Sequence, residues 1–296
     1  MQFDYAGFAA LAAVLRSGSF HTAADRLGVT ASAVSQRIKQ LEERFGGILV
    51  IRGKPCRPSP MGNRLLRHIE ALEVMETQLT ADLDLGEGSG SFGTIRIGVN
   101  ADSLATWFID AMQGLSNTLC ELVICDQDFS DELLREGQVA VAITGTDKPV
   151  QGCDLMPLGL LPYAATASPG YVEKYFPDGP DENSLRAAPS LRFSDRDQLQ
   201  AQWVRETLGL TFQAPSHMIP TTNGFVDACL AGLGWGLNPL VMVEDHIATG
   251  RLVELLPDCR LSVPLYWQVM RNQKQALAPL TQSVRNSAAR HLLPLK

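Results

Sequence analysis

Apolar residues recur at helical spacing through the first 45 residues of the chain. A first amphipathic helix is predicted between residues 3 and 15, and its apolar face consists of Phe8, Leu11, Val14 and Leu15. The stretch FHTAADRLG predicts a second, shorter helix that places inward Ala23, Ala24 and Leu27. Gly18 and Gly28 are expected to end these two helices, because glycine accepts the left-handed backbone that commonly closes a helix.

A third helix is predicted to begin after Thr30, whose hydroxyl can accept a hydrogen bond from a free amide of the first turn. Its buried stripe is predicted to be Val34, Ile38, Leu41 and Phe45. Two helices joined by a glycine-containing turn form a helix-turn-helix, whose second helix enters the DNA major groove. Gln pairs well with adenine and Arg with guanine, and Ser contacts bases or phosphates. The residues predicted to contact DNA from this helix are therefore Thr30, Ser32, Ser35, Gln36, Arg37 and Lys39.

The next stretch, GILVIRGKPCRPSPMG, predicts a β-hairpin with a basic turn, which makes the motif winged. Arg52 and Arg57, with Lys54 between them, suit phosphate or minor-groove contacts. A long helix is predicted to begin at Ser59, and its apolar stripe comprises Leu65, Ile69, Leu72, Leu79 and Leu83. A second copy of the chain covering this stripe is one interpretation, and packing on the helix's own domain is the other.

A glycine-rich segment, GEGSGSFG, follows this helix and contains a formal GxGxxG pattern. A dinucleotide-binding loop needs a strand before it and a helix after it, whereas here the order is reversed, so a hinge is predicted. Strand-like runs then alternate with helical stretches, and these runs are TIRIGV, ELVIC, VAVAIT, LPYAATAS, SLRF, GWGLNPL and PLYWQVM. The alternation predicts an α/β domain with a largely parallel sheet.

The charge is divided unevenly along the chain. The total is −7, but residues 1–67 hold ten Lys/Arg and four Asp/Glu, a net charge of +6, and the remainder holds fifteen against twenty-eight, a net charge of −13. A basic module attached to an acidic body is typical of a protein in which one part binds a polyanion, although a merely solvated basic face is the alternative. With 45% hydrophobic and 19% charged residues, the 296-residue chain is predicted to form two or three globular units.

The sequence gives no sign of a membrane segment or a metal site. Apolar runs are far shorter than the ~20 residues that span a bilayer, and the N-terminus lacks the features of a signal peptide, so we expect a cytoplasmic protein without a membrane partner. The six cysteines and five histidines are scattered without metal-binding spacing. We therefore expect reduced, mostly buried thiols and no metal or cofactor.

Polar residues follow several predicted strands at their carboxyl ends, where α/β sheets bind ligands. Asn100, Asp102 and Ser103 occupy the turn after TIRIGV, where free helix amides favour an anion such as the α-carboxylate of an amino acid. Asp126 and Asp128 follow the next strand and suit an ammonium or guanidinium group. The remaining candidate ligand residues are Thr144, Thr222 and Asn223. The plainer alternatives are helix caps and solvated loop acids.

The first ninety residues, especially FHTAADRLGVTASAVSQRIKQLEERFG, VIR and RPSPMG, resemble the N-terminal domain of the LysR-type transcriptional regulators. VNADSLATW, DQDFSDELLREGQVAVAIT, EKYFP, FVDACLAGLGWGLNP and LYW resemble the ArgP/LysG-type branch, which senses lysine and arginine and controls basic amino-acid export. Cys125, Phe129 and Ser130 depart from the pattern of that branch, which has an acid before the Asp126 position and a His-Thr pair after the Asp128 position. A different small metabolite therefore stays open as the effector.

The resemblance implies an α/β multidomain protein in three parts. A winged helix-turn-helix spans residues 1–58, a linker and dimerisation helix with the hinge spans 59–88, and a two-lobed α/β effector domain like that of periplasmic binding proteins spans 89–296. Lobe one covers residues 94–161 plus 267–296, lobe two covers 162–266, and the effector lies in the cleft between the lobes. The implied partners are double-stranded operator DNA, lysine or arginine, further copies in a dimer or tetramer, and RNA polymerase as an additional candidate.

Two other classes of protein compete with a regulator. An enzyme is disfavoured because GxSxG, HExxH and P-loop motifs are absent, and because nothing supplies the groups that Asp126 and Asp128 would need for acid–base catalysis. A small-molecule-binding protein accounts for the lobes but not for the basic N-terminal segment. The sequence therefore predicts a DNA-binding regulator without enzymatic activity.

Overall fold

The computed structural model describes residues 4–82, 93–113, 118–125, 130–211 and 214–295. Contacts divide the chain into two compact units. Unit 1 consists of Met1–Ile97, Ser116–Glu121 and Leu133–Ala140, and unit 2 consists of Gly98–Leu115, Leu122–Glu132 and Val141–Lys296. The predicted hinge at 86–93 lies outside the described residues apart from Gly93, and Asp126, Asp128 and Phe129 lie outside them as well.

The N-terminal part of unit 1 is a winged helix-turn-helix. Its elements are α1 Tyr5–Ser17, α2 Phe20–Leu27, α3 Ala31–Phe45, β1 Val50–Ile51, β2 Arg57–Pro58 and α4 Pro60–Asp82. The predicted helix ends are confirmed, because Gly18 and Gly28 take left-handed φ angles of 67° and 62°. The predicted hairpin is also confirmed, although each antiparallel strand is only two residues long.

The apolar faces of α1, α2 and α3 converge on one core. Its fully buried members include Phe8, Leu11, Val14, Ala23, Val34, Ile38 and Leu41. Helix α4 closes this core with Ile69, which is 4% exposed, while Leu65 and Leu72 pack against it. Of the two interpretations of the α4 stripe, packing on its own domain is therefore correct for these three residues. The side chains of Leu79 and Leu83 lie outside the described part of the chain.

Helix α4 is anchored at its first turn by Ser59. The Ser59 hydroxyl accepts a hydrogen bond from the Gly62 amide at 2.9 Å and donates to the Ile48 carbonyl at 2.5 Å. Ser59 is thus the N-cap of α4 and the predicted start of this helix is confirmed, because the side chain satisfies an amide that has no partner inside the helix. The same hydroxyl fixes the start of α4 to the residues that precede the wing.

The remainder of the described chain is α/β. Its strands are β3 Gly93–Val99, β4 Thr118–Ile124, β5 Val141–Thr144, β6 Cys153–Ala167, β7 Ser190–Arg192, β8 Ser216–Met218, β9 Gly236–Pro239, β10 Val253–Glu254 and β11 Leu261–Met270. Its α-helices are α5 Ala101–Ser103, α6 Ile109–Met112, α7 Ser130–Arg135, α8 Pro169–Tyr175, α9 Glu182–Ala187, α10 Leu199–Leu208, α11 Thr222–Leu230, α12 Leu240–Ala248 and α13 Ala278–His291. A π-helical segment, Leu104–Phe108, joins α5 to α6.

Seven strands form the main sheet in the order β10-β6-β11-β5-β3-β4, with β9 also paired to β6. Unit 2 contains the carboxyl ends of β3 and β4, at residues 98–99 and 122–124. The ladders of β6 with β9, β10 and β11, and of β11 with β5, are antiparallel. A separate pair, β7 with β8, is parallel.

The prediction of a largely parallel sheet is wrong for these ladders. Alternating strands and helices imply parallel pairing only when one crossover helix joins two strands of the same sheet. Here β6 and β11 are separated in sequence by residues 168–260, and β11 returns alongside β6 in the opposite direction. The sequence also gave no signal for the short strands β8 and β10. Within the described residues, no helix has the length and apolar character to cross a membrane.

Candidate functional site

The outward side of α3 carries the predicted DNA-contacting residues. Ser32, Gln36 and Lys39 are exposed, while Ser35 and Arg37 are half-buried. The Lys39 ammonium lies 3.7 Å from the carboxylate of Glu43, one turn further along the helix. An exposed pair of this kind contributes little to stability, so Lys39 stays available to another anion.

Thr30 is the N-cap of α3. Its hydroxyl oxygen accepts a hydrogen bond from the Ala33 amide at 3.1 Å. The side chain thus fixes where the helix begins, as expected for Thr at this position. The cap hydrogen bond carries no information about the predicted contact between Thr30 and DNA.

The wing lies beside α2 and α3. Arg52, which follows β1, donates from its Nη2 to the Ser35 hydroxyl oxygen at 3.3 Å. The Arg52 Cζ also lies 5.2 Å from the centroid of the Phe20 ring. Arg57, in β2, is exposed. Residues of α2, α3 and the wing line one concave surface, and they include Ser19, Phe20, His21, Ser35, Arg52 and Lys54.

The wing is fastened to the turn between α1 and α2. The Cys56 amide donates to the Gly18 carbonyl at 2.8 Å. A Cβ atom at Gly18 would lie 2.7 Å from the Cβ of Pro55, so only glycine permits this approach. Sequence reasoning did not identify Phe20 and His21, because their place beside the wing depends on contacts between residues more than thirty positions apart.

Unit 2 contains a cavity of about 750 Å³, counting the part that is open to solvent. Its lining consists of Asn100, Ala101, Asp102, Phe193, Arg196, Asp197, Gln198, Leu199, Gln202, Thr222, Phe225, Leu237, Asn238 and Pro239. Three of the predicted ligand residues, Asn100, Asp102 and Thr222, are brought together here. They come from the turn after β3 and from the first residue of α11, which are far apart in sequence.

Asp102 is held by two hydroxyl groups. Its Oδ2 accepts a hydrogen bond from the Tyr163 hydroxyl at 2.6 Å, and its Oδ1 accepts one from Thr222 Oγ1 at 2.8 Å. Complete burial raises the pKa of Tyr163 well above its usual value, and the neighbouring Asp102 carboxylate raises it further. Tyr163 therefore stays protonated and acts as the donor in this bond.

Two buried asparagine side chains have unused hydrogen-bonding groups at the cavity. Asn100 is 3% exposed, and neither its Nδ2 nor its Oδ1 has a partner among the described residues. Asn238 donates to Thr166 Oγ1 at 2.9 Å, whereas its Oδ1 has no partner within the described part of the chain. Buried polar groups without partners are costly, so these atoms are suited to a polar ligand or to water.

Sequence reasoning missed a charged loop in the cavity wall. Arg196 and Asp197 follow β7, and Asp197 Oδ2 accepts from the Phe193 amide at 2.9 Å while its Oδ1 accepts from the Leu199 amide at 3.0 Å. The signal that could have revealed the loop is the cluster SDRD directly after the strand-like run SLRF. This cluster follows a predicted strand, as the predicted ligand residues Asn100 and Asp102 do.

Three other predicted ligand residues lie away from the lining described above. Ser103 and Thr144 are fully buried, and Thr144 Oγ1 accepts from the Gln268 side chain at 3.1 Å. Asn223 is exposed. Cys125 and Ser130, two of the residues that depart from the branch pattern, lie together with 3.2 Å between Sγ and Oγ.

The cysteines are free thiols, as expected, and half of them are buried. Burial raises the pKa of Cys229 to about 11, so this thiol stays protonated near neutral pH. Among the described residues, no group of His, Cys, Asp and Glu is arranged to hold a metal ion. In the described lining of the unit 2 cavity, the polar side chains carry carboxylates, amides, one hydroxyl and one guanidinium.

Two family models match consecutive parts of the chain. Residues 6–63 match the family "Bacterial regulatory helix-turn-helix protein, lysR family", and residues 88–293 match the "LysR substrate binding domain". The HTH-type transcriptional regulator LysG of Mycobacterium tuberculosis is 42% identical over 288 residues, which cover 97% of this chain and 94% of the relative.

Two solved structures extend the likeness to the whole fold. The crystal structure of ArgP from Mycobacterium tuberculosis has 41% identity and a TM-score of 0.84, and the match covers 99% of this chain and 100% of that one. Full-length LysG from Corynebacterium glutamicum with the bound effector Arg has 30% identity and a TM-score of 0.70, again over 99% and 100% of the two chains. The chain therefore belongs to the LysR family of transcriptional regulators.

Proposed function

We propose that this regulator binds a basic amino acid, lysine or arginine, in the unit 2 cavity and binds operator DNA through α3 and the wing. The observation that carries the effector assignment is the charge of the cavity lining. Within its described lining, the charged residues are Asp102, Asp197 and Arg196. Two carboxylates and one guanidinium match the two cationic groups and one carboxylate of lysine or arginine.

The charge match also separates basic amino acids from others. A neutral or acidic amino acid would leave a carboxylate of the cavity without a cationic partner, and removing such a group from water without compensation is costly. The unused amide groups of Asn100 and Asn238 supply additional donors and acceptors. The arginine bound to the Corynebacterium glutamicum relative is consistent with the same ligand class.

The proposed ligand contacts are three residues that the sequence predicted and three residues that sequence reasoning missed. They are Asn100, Asp102, Arg196, Asp197, Thr222 and Asn238. Asp126 and Asp128 stay predicted ligands, because they lie outside the described residues. The burial of Ser103 and Thr144 favours supporting roles for these two residues, and the exposure of Asn223 outside the described lining argues against a role in ligand binding.

The ligand changes DNA binding because it binds two conformations of the regulator with different affinities. The proposed DNA contacts are the predicted residues of α3 with Arg52 and Arg57, and the net charge of +6 over residues 1–67 supports them. The protein acts without enzymatic activity, in the cytoplasm, as a dimer or tetramer. Control of a basic amino-acid exporter gene and contact with RNA polymerase stay predictions.

Titration calorimetry of the full-length protein tests the effector assignment. Lysine or arginine is expected to bind at least about tenfold more tightly than its neutral counterpart, norleucine or citrulline, because each counterpart lacks one charge. Asp102→Asn should remove most of that preference, and Asn223→Ala, outside the lining, is the matched control. Equal affinity for charged and neutral ligands in the parent protein would refute the assignment.

A mobility-shift assay tests the coupling. The DNA is the region upstream of the chain's own gene, and the assay is run with and without lysine and arginine. The preferred amino acid should change the affinity or the mobility of the complex, and norleucine should change neither. No binding of this duplex at low salt would argue against the DNA-binding assignment itself.

A further inference from the structure

The guanidinium of Arg52 is held by side chains of two different helices. Ser35 of α3 accepts its hydrogen bond at 3.3 Å, and the ring of Phe20, the first residue of α2, lies 5.2 Å from its Cζ. An arginine within about 6 Å of an aromatic centroid is attracted to the negative ring face. Arg52 therefore connects the wing to both helices of the helix-turn-helix.

Phe20 is itself firmly placed. It is half-buried, it packs against the core of the N-terminal segment, and the preceding Ser19 caps its helix by accepting from the Thr22 amide. A side chain held in this way offers a fixed surface to its neighbour. Phe20 has no polar group to offer DNA, so its effect on binding has to pass through the residue that it holds.

The charge of Arg52 is not neutralised by this arrangement. Among the described residues, no carboxylate lies within 4.0 Å of its guanidinium, whereas Arg16 pairs with Glu73 at 2.6 Å and Lys39 with Glu43 at 3.7 Å. The concave surface beside Arg52 also carries Lys54 and His21, and its described lining contains no acidic residue. An oriented cation without an acidic partner is suited to an external anion.

We infer that Phe20 is a positioning residue for DNA binding, whose ring, with Ser35, holds the Arg52 guanidinium in place for a phosphate of the duplex backbone. Arginine binds phosphate through two parallel N–H donors, so its orientation affects affinity. An arginine that is already ordered loses less side-chain entropy when it binds. The inference rests on the proposed DNA-binding role of the N-terminal segment.

A double-mutant cycle on the full-length protein tests this inference. The variants are Phe20→Leu, Arg52→Ala and the combination of the two, and fluorescence anisotropy measures binding to the upstream duplex and to an unrelated duplex. Loss of the contact that orders Arg52 is expected to weaken binding about three- to fivefold, because the side chain then has to be immobilised when the duplex binds. Phe20→Leu should weaken both duplexes by this factor in the parent background and have no further effect when Arg52 is already Ala.

Phe20→Tyr is the matched control, because tyrosine keeps the ring face and should restore parental affinity. Equal losses from Phe20→Leu with and without Arg52 would overturn the inference and assign Phe20 to folding, which thermal denaturation of the same variants would reveal. A change in preference between the two duplexes would also overturn it, because a phosphate contact carries no sequence information. Failure of the parent protein to bind any duplex would instead refute the proposed function.

Discussion

Tyr163 donates a hydrogen bond to Asp102, with 2.6 Å between the phenolic oxygen and Oδ2, although the two residues are 61 positions apart. The bond joins β6 to the helical turn that follows β3. Together with the bond from Thr222, it keeps an anionic side chain in one orientation in the cavity wall. The cationic group of the proposed ligand would therefore meet a carboxylate that is already in place, so little ordering of the protein would accompany binding.

The same tyrosine predicts alkaline sensitivity. The folded protein holds the pKa of Tyr163 above its ordinary value, so an unfolded chain releases this proton first as pH rises above about 10. The stabilisation from this group is complete below pH ~10 and is lost as pH rises towards the folded value, at up to about 1.4 kcal/mol per pH unit. Urea denaturation of Tyr163→Phe should show a shallower loss of unfolding free energy above pH 10 than the parent protein.

Tyr5→Phe is the control for this experiment, because Tyr5 is 62% exposed. If Tyr163→Phe and the parent protein lose stability in parallel above pH 10, Tyr163 does not titrate differently in the two states. At pH 7 the same variant should be less stable by about 1–3 kcal/mol, since Asp102 loses a buried hydrogen-bond donor.

Helix α4 offers a stability test of the core that it closes. Ile69→Ala should lower the free energy of unfolding by about 2–5 kcal/mol, because it leaves a cavity in a buried, well-packed site. Met75→Ala, on the same helix but 39% exposed, should change it by less than about 0.5 kcal/mol. Similar losses from both variants in chemical denaturation would contradict the packing of α4 on its own unit.

Alanine substitutions at two glycines distinguish the cost of backbone strain from the cost of a steric collision. Gly18 and Gly28 both have left-handed φ angles, but only at Gly18 would a Cβ meet Pro55, whereas nothing lies within 4 Å at Gly28 among the described residues. Gly28→Ala should cost about 1–2 kcal/mol of unfolding free energy from strain alone. Gly18→Ala should cost more and should also weaken DNA binding, because the wing has to move. Equal losses in both stability and affinity would mean that the wing is not fixed at this turn.

The proposed base and phosphate contacts differ in their effects on DNA binding. Gln36→Ala should reduce the preference for the operator over other duplexes, because Gln36 is exposed on α3 and is proposed to contact base edges. Arg57→Ala should weaken every duplex alike and reduce the salt slope of log affinity by about one. Anisotropy titrations at several salt concentrations measure both quantities. Parental curves for both variants would remove these assignments.

The sequence predicted features that depend on neighbours along the chain. Thr30 and Gly28 begin and end their helices as expected, because caps depend on one to four adjacent residues. The pairing of β6 with β11 and the approach of Arg196 to the Asn100 turn depend on long-range folding that local spacing does not encode. For that reason the loop that carries Arg196 and Asp197 was missed, and the prediction of a largely parallel sheet was wrong for the ladders that β6 and β11 form.

The burial of Ile69 joins α4 to the helix-turn-helix through a shared apolar core. Because such cores resist deformation, the early turns of α4 and helix α3 rotate together as one rigid body. Effector control of transcription then needs no bending within residues 5–72. In the proposed dimer or tetramer, the angle of α4 would then set whether two copies of α3 match the spacing of consecutive major grooves.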